Sequence, residues 1–90
     1  LLRISGPSAS GTATAATALA ERIRPAVEQA GWLLIGPAPA PVGRVAGRSR
    51  WQLLLHGPRN SALPLPPEAR LREGLPAAVG LAIDPDPLEL

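Results

Sequence analysis

Apolar residues alternate with polar ones, or gather into short runs, at four places along the chain, and these stretches predict four β-strands. They occupy residues 1–4, 32–35, 48–56 and 79–83. A glycine or proline follows each of them directly or within two residues, which favours an end to the strand at those points.

Two stretches carry the features of helices. After Thr12, apolar side chains recur at helical spacing at Ala16, Leu19, Ile23, Val27 and Ala30. We expect this helix to take Thr12 as its N-cap, to bend at Pro25, and to end where Gly31 offers a C-cap. A second, brief helix is expected near residues 67–75, where proline suits a first helical turn.

The order of these elements, β-α-β-β-α-β, predicts an α+β fold of the ferredoxin-like plan. We expect a four-stranded antiparallel sheet with two helices on one face, the second helix short, and the other face open. Residues 36–47 alternate proline with small residues and are expected to form a long exposed Pro/Gly-rich connection.

The third strand carries the most informative alternation. One parity holds Trp51, Leu53 and Leu55, which we expect to face the core, with Trp51 as a structural anchor. The other parity begins with Arg48, Arg50 and Gln52, which would then point to the open face.

Length and composition narrow the range of functions. Ninety residues make one small domain with a thin core, here expected to span residues 1–90. With no cysteine and a single histidine, thiolate and multi-histidine metal sites are excluded. No apolar run is long enough for a transmembrane helix, so we expect a soluble, cytoplasmic protein without a membrane partner. Because the chain begins at Leu1 and has no Met, we expect it to be a piece of a longer chain.

Positive charge is concentrated in the middle of the chain. All nine basic residues are arginine, and no carboxylate lies between Gln29 and Pro67. The arginines of that stretch are Arg44, Arg48, Arg50 and Arg59. Since the planar guanidinium gives paired hydrogen bonds to phosphate and carboxylate, an anionic partner is favoured, either a nucleic-acid backbone or an acidic peptide. The alternative is an ordinary amphipathic strand with a solvated basic face.

Other motifs do not support catalysis. Residues 6–12 follow a strand and precede a helix as a phosphate loop does, but Thr12 stands where the phosphate-contacting lysine is required. His56 has no nucleophile at motif spacing, and Asp84 and Asp86 flank prolines, where acidic residues commonly form turns. We therefore predict no catalytic residue and no metal ligand.

Three sequence blocks resemble the C-terminal domain of the PriA family of primosomal replication-restart helicases. They are LIGPAPAP at residues 34–41, RWQLLL at residues 50–55 and IDPDP at residues 83–87. The blocks occur in the family's order and spacing and span about residues 33–87. Ser49 departs from the family, which commonly has an aromatic residue between the two arginines, and the proline-rich second helix is shortened.

The resemblance implies that this chain is an accessory C-terminal domain and not itself an enzyme. Family members are ATP-dependent 3′-5′ DNA helicases that act in DNA replication by restarting stalled forks. Their ATPase lobes and zinc-binding cysteines lie upstream, so we expect no cofactor in this fragment and expect ATP, Mg and Zn in the parent chain. The implied location is the bacterial cytoplasm, in association with the nucleoid.

The resemblance also implies partners. In the family this domain contributes to binding branched and single-stranded DNA, packs on the helicase core of the same chain, and lies near the site for the C-terminal tail of single-stranded DNA-binding protein. The residues that meet that acidic tail correspond to Arg48 and Gln52. We accordingly expect DNA or the tail to contact Arg48, Arg50, Gln52, Arg44 and Arg59. The alternative is a purely architectural domain that docks on the helicase core without contacting a ligand.

Overall fold

The computed structural model of the chain describes residues 1–58 and 63–84, without the side chains of residues 42–45. Within these ranges the elements are β1 (Leu2–Gly6), α1 (Ala9–Gln29), β2 (Leu33–Val45), β3 (Arg48–His56), α2 (Glu68–Glu73) and β4 (Gly80–Ile83). The strands form one antiparallel sheet in the order β2-β3-β1-β4. The predicted α+β, ferredoxin-like fold is thereby confirmed.

The hydrophobic core lies between the sheet and α1, and strand register explains its composition. Leu2 and Ile4 of the inner strand β1 pair with Leu53 and Trp51 of β3, so their side chains share one face of the sheet. The helical stripe of α1 packs against that face. The core cluster also takes in residues of β2, α2 and β4, and its buried members are Leu2, Ile4, Ala16, Leu19, Ala20, Ile23, Val27, Leu34, Leu53, Leu71 and Leu81.

The N-terminus of α1 differs from the sequence prediction. Ser8, not Thr12, is the N-cap, and its Oγ accepts a hydrogen bond of 2.9 Å from the Gly11 backbone N–H. Thr12 is buried one turn into the helix, and its hydroxyl donates to the Ser8 carbonyl at 2.6 Å. The prediction failed because both residues are good capping types and the apolar periodicity becomes clear only after Thr12.

The C-terminus of α1 is closed by backbone geometry that a glycine makes possible. Gly31 has a φ of 83° and donates to the Glu28 carbonyl, while the Trp32 N–H bonds to Val27, both at 3.0 Å. This pair of bonds is a Schellman motif, in which the left-handed residue is usually glycine. α1 is assigned as one continuous helix through Pro25.

Residues 36–45 do not form the exposed connection expected from their composition but continue β2. They pair with β3 with two register shifts, and the Gly36-Pro37 peptide bond is cis. Since β2 is an edge strand, its prolines need not donate to a second neighbour. Ala46 and Gly47, both at positive φ, make the two-residue hairpin turn to β3.

Helix α2 is held by an arginine from α1. Arg22 donates to the Arg70 carbonyl at 2.9 Å and to the Leu71 carbonyl at 3.5 Å, near the end of α2. Gly74 leaves the space for this guanidinium, since a Cβ there would overlap Arg22 Nη1. These bonds place Leu71, the buried residue of α2, against the core.

Candidate anion-binding face

The sheet face opposite the helices carries a group of polar side chains from β1 and β3. Arg3 pairs with Gln52, and Ser5 pairs with Arg50, across the ladder between these neighbouring strands. Since alternate residues point to opposite faces, these four lie opposite the core residues Leu2 and Ile4 and their partners. Arg48 has the same parity in β3. We call Arg3, Ser5, Arg48, Arg50 and Gln52 the basic face.

An open depression of about 400 Å³ lies within this face. Arg3, Arg48 and Arg50 line it from β1 and β3, and its remaining lining comes mainly from small residues, among them Gly80 and Ala82 of β4. Gly80 and Ala82 pair with Ser5 and Arg3, respectively. The depression exists because β4 brings no large side chain to this part of the face.

Arg48 is oriented by two backbone carbonyls. Its Nη2 donates to Ser5 O and to Ala78 O, each at 3.0 Å, so the side chain reaches across β1 towards the start of β4. Gly80 lies beneath it, and a Cβ there would be 3.8 Å from Nη2. Arg48 therefore combines a structural link with a positive charge beside the depression.

The charge of the basic face is not neutralised by a described ion pair. The two ion pairs within the described residues, Arg24–Glu28 and Arg72–Glu68, each join positions within one helix. Neither includes Arg3, Arg48 or Arg50. Three positive charges thus lie on the open face without a described ion pair, an arrangement that favours an anion as ligand.

Trp51 belongs to the opposite face of β3. It is half-buried and packs against the core, while its neighbour Ser49 is only 4% exposed. The predicted division of the strand is therefore seen in the structure for this part of β3. The anchoring role of Trp51 stays a prediction.

Two predicted site residues cannot be placed beside the others. Arg44 lies in β2 opposite Ser49 in the backbone register, but its side chain is outside the description. Arg59 lies outside the described residues altogether. Of the predicted set, the structure brings together Arg48, Arg50 and Gln52.

Two features of this face were not predicted from the sequence. Arg3 lines the depression, and its parity opposite Leu2 and Ile4 was the available signal. Leu33 and Ile35 of β2 are 55% and 48% exposed and pair with residues of β3 on the same open face. The run 32–35 did not by itself reveal which of its residues would be buried.

Other candidate chemistry is sparse in the described part of the chain. His56 is exposed at the end of β3, and Asp86 lies outside the description. No group of three or more potential metal-binding side chains occurs among the described residues. Neither described helix combines the length and the apolar character needed to cross a membrane.

Comparison with known proteins supports the family resemblance that the three sequence blocks indicated. A replication restart protein PriA from Synechocystis sp. is 46% identical over 57 residues, which are 63% of this chain and 7% of that protein. The match thus covers a small part of the relative's length. No solved structure gives a significant match. The family model described as "Primosomal protein N C-terminal domain" matches residues 1–88, and the chain therefore belongs to this family.

Proposed function

We propose that this chain is an accessory binding domain of a replication-restart protein and that Arg48, Arg50 and Gln52 of the basic face bind the phosphate backbone of branched or single-stranded DNA. Family membership and the name of the Synechocystis relative support the role in replication restart. The observation that carries the DNA assignment is the grouping of Arg48, Arg50 and Gln52 of β3 on the open sheet face, where neither arginine has a described ion pair.

The chemistry of the face suits a sequence-independent contact. Guanidinium groups of Arg48 and Arg50 donate to phosphate oxygens, and the Gln52 amide adds a hydrogen bond. Arg44 and Arg59 are proposed to extend this surface. The domain contributes binding and not catalysis, while the helicase activity, with its ATP, Mg and Zn, belongs to the longer parent chain of this proposal.

A second candidate ligand is the acidic C-terminal tail of single-stranded DNA-binding protein. The observation that favours it is the exposed pair Leu33 and Ile35 on the same sheet face, beside the strand that carries Gln52. A peptide with both acidic and apolar side chains would find arginines and an apolar surface within one face. The tail and DNA would then compete for Arg48 and Arg50.

The architectural alternative uses the same apolar residues differently. Leu33 and Ile35 would be covered by the helicase core of the parent chain, and the arginines would serve only to hold the fold, as Arg48 does through its two carbonyl bonds. This alternative predicts that arginine substitutions change stability or docking and leave ligand affinity intact.

A titration with labelled single-stranded DNA and with the acidic tail peptide separates these possibilities. Arg50→Ala is the test variant, and Arg24→Ala is the matched control, because it removes the same charge from α1 on the other side of the sheet. We expect Arg50→Ala to weaken DNA binding and to make the log-log salt slope shallower by about 0.7, the value for one lost contact to a single strand. Arg24→Ala should change the slope little.

Two results of these titrations would contradict the proposed DNA binding. Equal affinity of the unaltered chain, Arg50→Ala and Arg24→Ala for both ligands at low salt would leave the architectural alternative. Loss of tail binding with unchanged DNA binding in Arg50→Ala would assign the face to the peptide. Circular dichroism of each variant verifies that the fold is intact.

A further inference from the structure

We propose that Arg3 binds phosphate together with Arg48 and Arg50 and that the depression between these three arginines seats one phosphate group of a nucleic-acid backbone. This inference rests on the proposed function and assigns a role to β1, which neither the strand pattern nor the resemblance had marked.

Arg3 occupies the centre of the open face. It lies in β1, one of the two inner strands, and is paired with Gln52 on one side and Ala82 on the other. Arg3 lines the depression together with Arg48 and Arg50. Residues on paired inner strands are held in fixed relative positions by the ladder, so the charges of β1 and β3 act on the same volume.

The hydrogen bonding of Arg3 is incomplete. Its Nε is buried and has no hydrogen-bond partner among the described residues. A buried donor without a partner destabilises the protein, and more so when the group is charged. The cost is relieved if a small rotation of the guanidinium brings this N–H to an oxygen of a ligand in the depression. Arg48, by contrast, already bonds two carbonyls and is held in place before a ligand arrives.

The depression has room for a ligand because Gly80 and Ala82, which line it from β4, are small residues. Gly80 pairs with Ser5, and Ala82 pairs with Arg3. A Cβ at Gly80 would lie 3.3 Å from Ser5 Oγ, a close contact that would narrow this part of the depression. With glycine there, the Ser5 hydroxyl adds a donor beside the guanidiniums.

A phosphate fits this arrangement better than a carboxylate. A guanidinium fork pairs with carboxylate and phosphate alike, but the tetrahedrally directed oxygens of a phosphate can accept from guanidiniums on more sides than the two coplanar oxygens of a carboxylate. Arg3 and the arginines of β3 line the depression from two neighbouring strands, so more than one guanidinium is available to the same ligand. We therefore assign the phosphate group as the ligand and leave the acidic peptide as an outcome of the test.

The first measurement uses the unaltered full chain and follows the arginine Nε–Hε signals by ¹H–¹⁵N NMR. Inorganic phosphate and a single-stranded oligonucleotide are added in separate titrations. We expect the Arg3 and Arg50 signals to shift with both and the Arg24 signal to stay unchanged. A shift of the Arg3 signal with the oligonucleotide but not with inorganic phosphate would support a contact between Arg3 and the nucleic acid. It would show that the parts of the oligonucleotide backbone next to the bound phosphate contribute the affinity. No shift of the Arg3 signal with either ligand would overturn the proposal.

The second measurement compares Arg3→Ala and Arg50→Ala with the control Arg24→Ala in DNA titrations at several salt concentrations. We expect Arg3→Ala to weaken binding roughly tenfold at low salt and to reduce the slope by about 0.7, as Arg50→Ala does. If Arg3→Ala fails to fold, Arg3→Lys keeps the charge and loses the fork. We expect it to retain the slope and lose affinity.

The DNA titrations of the three variants distinguish failure of the role of Arg3 from failure of the proposed function. If Arg50→Ala weakens DNA binding and Arg3→Ala behaves like Arg24→Ala, the role of Arg3 is wrong and the proposed function stands. If none of the three variants changes DNA binding, both are wrong. If Arg3→Ala weakens binding of the acidic tail peptide and not of DNA, the ligand is a carboxylate and the phosphate assignment is overturned.

Discussion

Replacing Leu53 by alanine tests whether one side of β3 faces the core while the other side belongs to the basic face. Leu53 is 0% exposed, pairs with Leu2 of the inner strand β1 and belongs to the core cluster. Its neighbour Leu54 has the opposite parity and pairs with the exposed Ile35 on the open face. Leu54→Ala is therefore a matched control with the same chemical change one position along the strand.

The expected magnitudes differ by a factor of two or more. A buried Leu→Ala change costs about 2–5 kcal/mol, because transfer free energy is lost and a cavity remains. A domain of this length has a free energy of unfolding of roughly 5–13 kcal/mol, so Leu53→Ala removes a large fraction of it. Leu54 is only half-buried, and its truncation should cost at most about 1 kcal/mol.

Urea denaturation, monitored by tryptophan fluorescence, measures the loss in free energy of unfolding for both variants. Trp32 and Trp51 pack against the core and report its loss. With a slope of about 1–3 kcal/mol per molar urea, we expect the Leu53→Ala midpoint to fall by roughly 1–2 M and the slope to stay unchanged. A Leu54→Ala cost equal to or above that of Leu53→Ala would refute the assigned faces and, with them, the placement of Arg50 and Gln52 on the open face.

Three further substitutions address local features of the fold. Gly57→Ala should cost about 1–3 kcal/mol and shift tryptophan emission, because a Cβ there overlaps the Trp32 indole; unchanged emission would contradict this packing. Ser8→Ala should lower the free energy of unfolding by about 0.5–2 kcal/mol in thermal denaturation through loss of the α1 cap, whereas an unchanged midpoint would place the cap elsewhere. Arg22→Ala should speed amide hydrogen exchange in α2, since its bonds to the Arg70 and Leu71 carbonyls are lost; equal exchange rates would show that these bonds do not hold α2.

Local patterns predicted the fold class well because they follow directly from element geometry. A period of two placed Leu53 in the core and Arg50 on the open face without any knowledge of the neighbouring strands. The failures arose where composition was ambiguous. Alternating prolines suggested an extended connection for residues 36–47, but extended backbone also suits an edge strand, and only pairing with β3 distinguishes the two.

The candidate site was only partly predictable, since it depends on which strands are neighbours. Arg48, Arg50 and Gln52 share one strand, so their common direction can be found from the sequence. Arg3 is 45 residues or more away from them along the chain, and its contribution follows from the antiparallel register of β1 and β3. A residue on a central strand must therefore be considered together with its cross-strand partners before its function is judged.

The location of the arginines on the two inner strands also determines how a partner can approach. A partner strand could add only at an edge, where backbone groups are unpaired. The edge strand β2 carries prolines that cannot donate hydrogen bonds, and the other edge, β4, has four residues from Gly80 to Ile83. Both edges are therefore poor templates for strand addition. The proposed ligands would then contact side chains of the open face, which among the described residues include Arg3, Arg48 and Arg50.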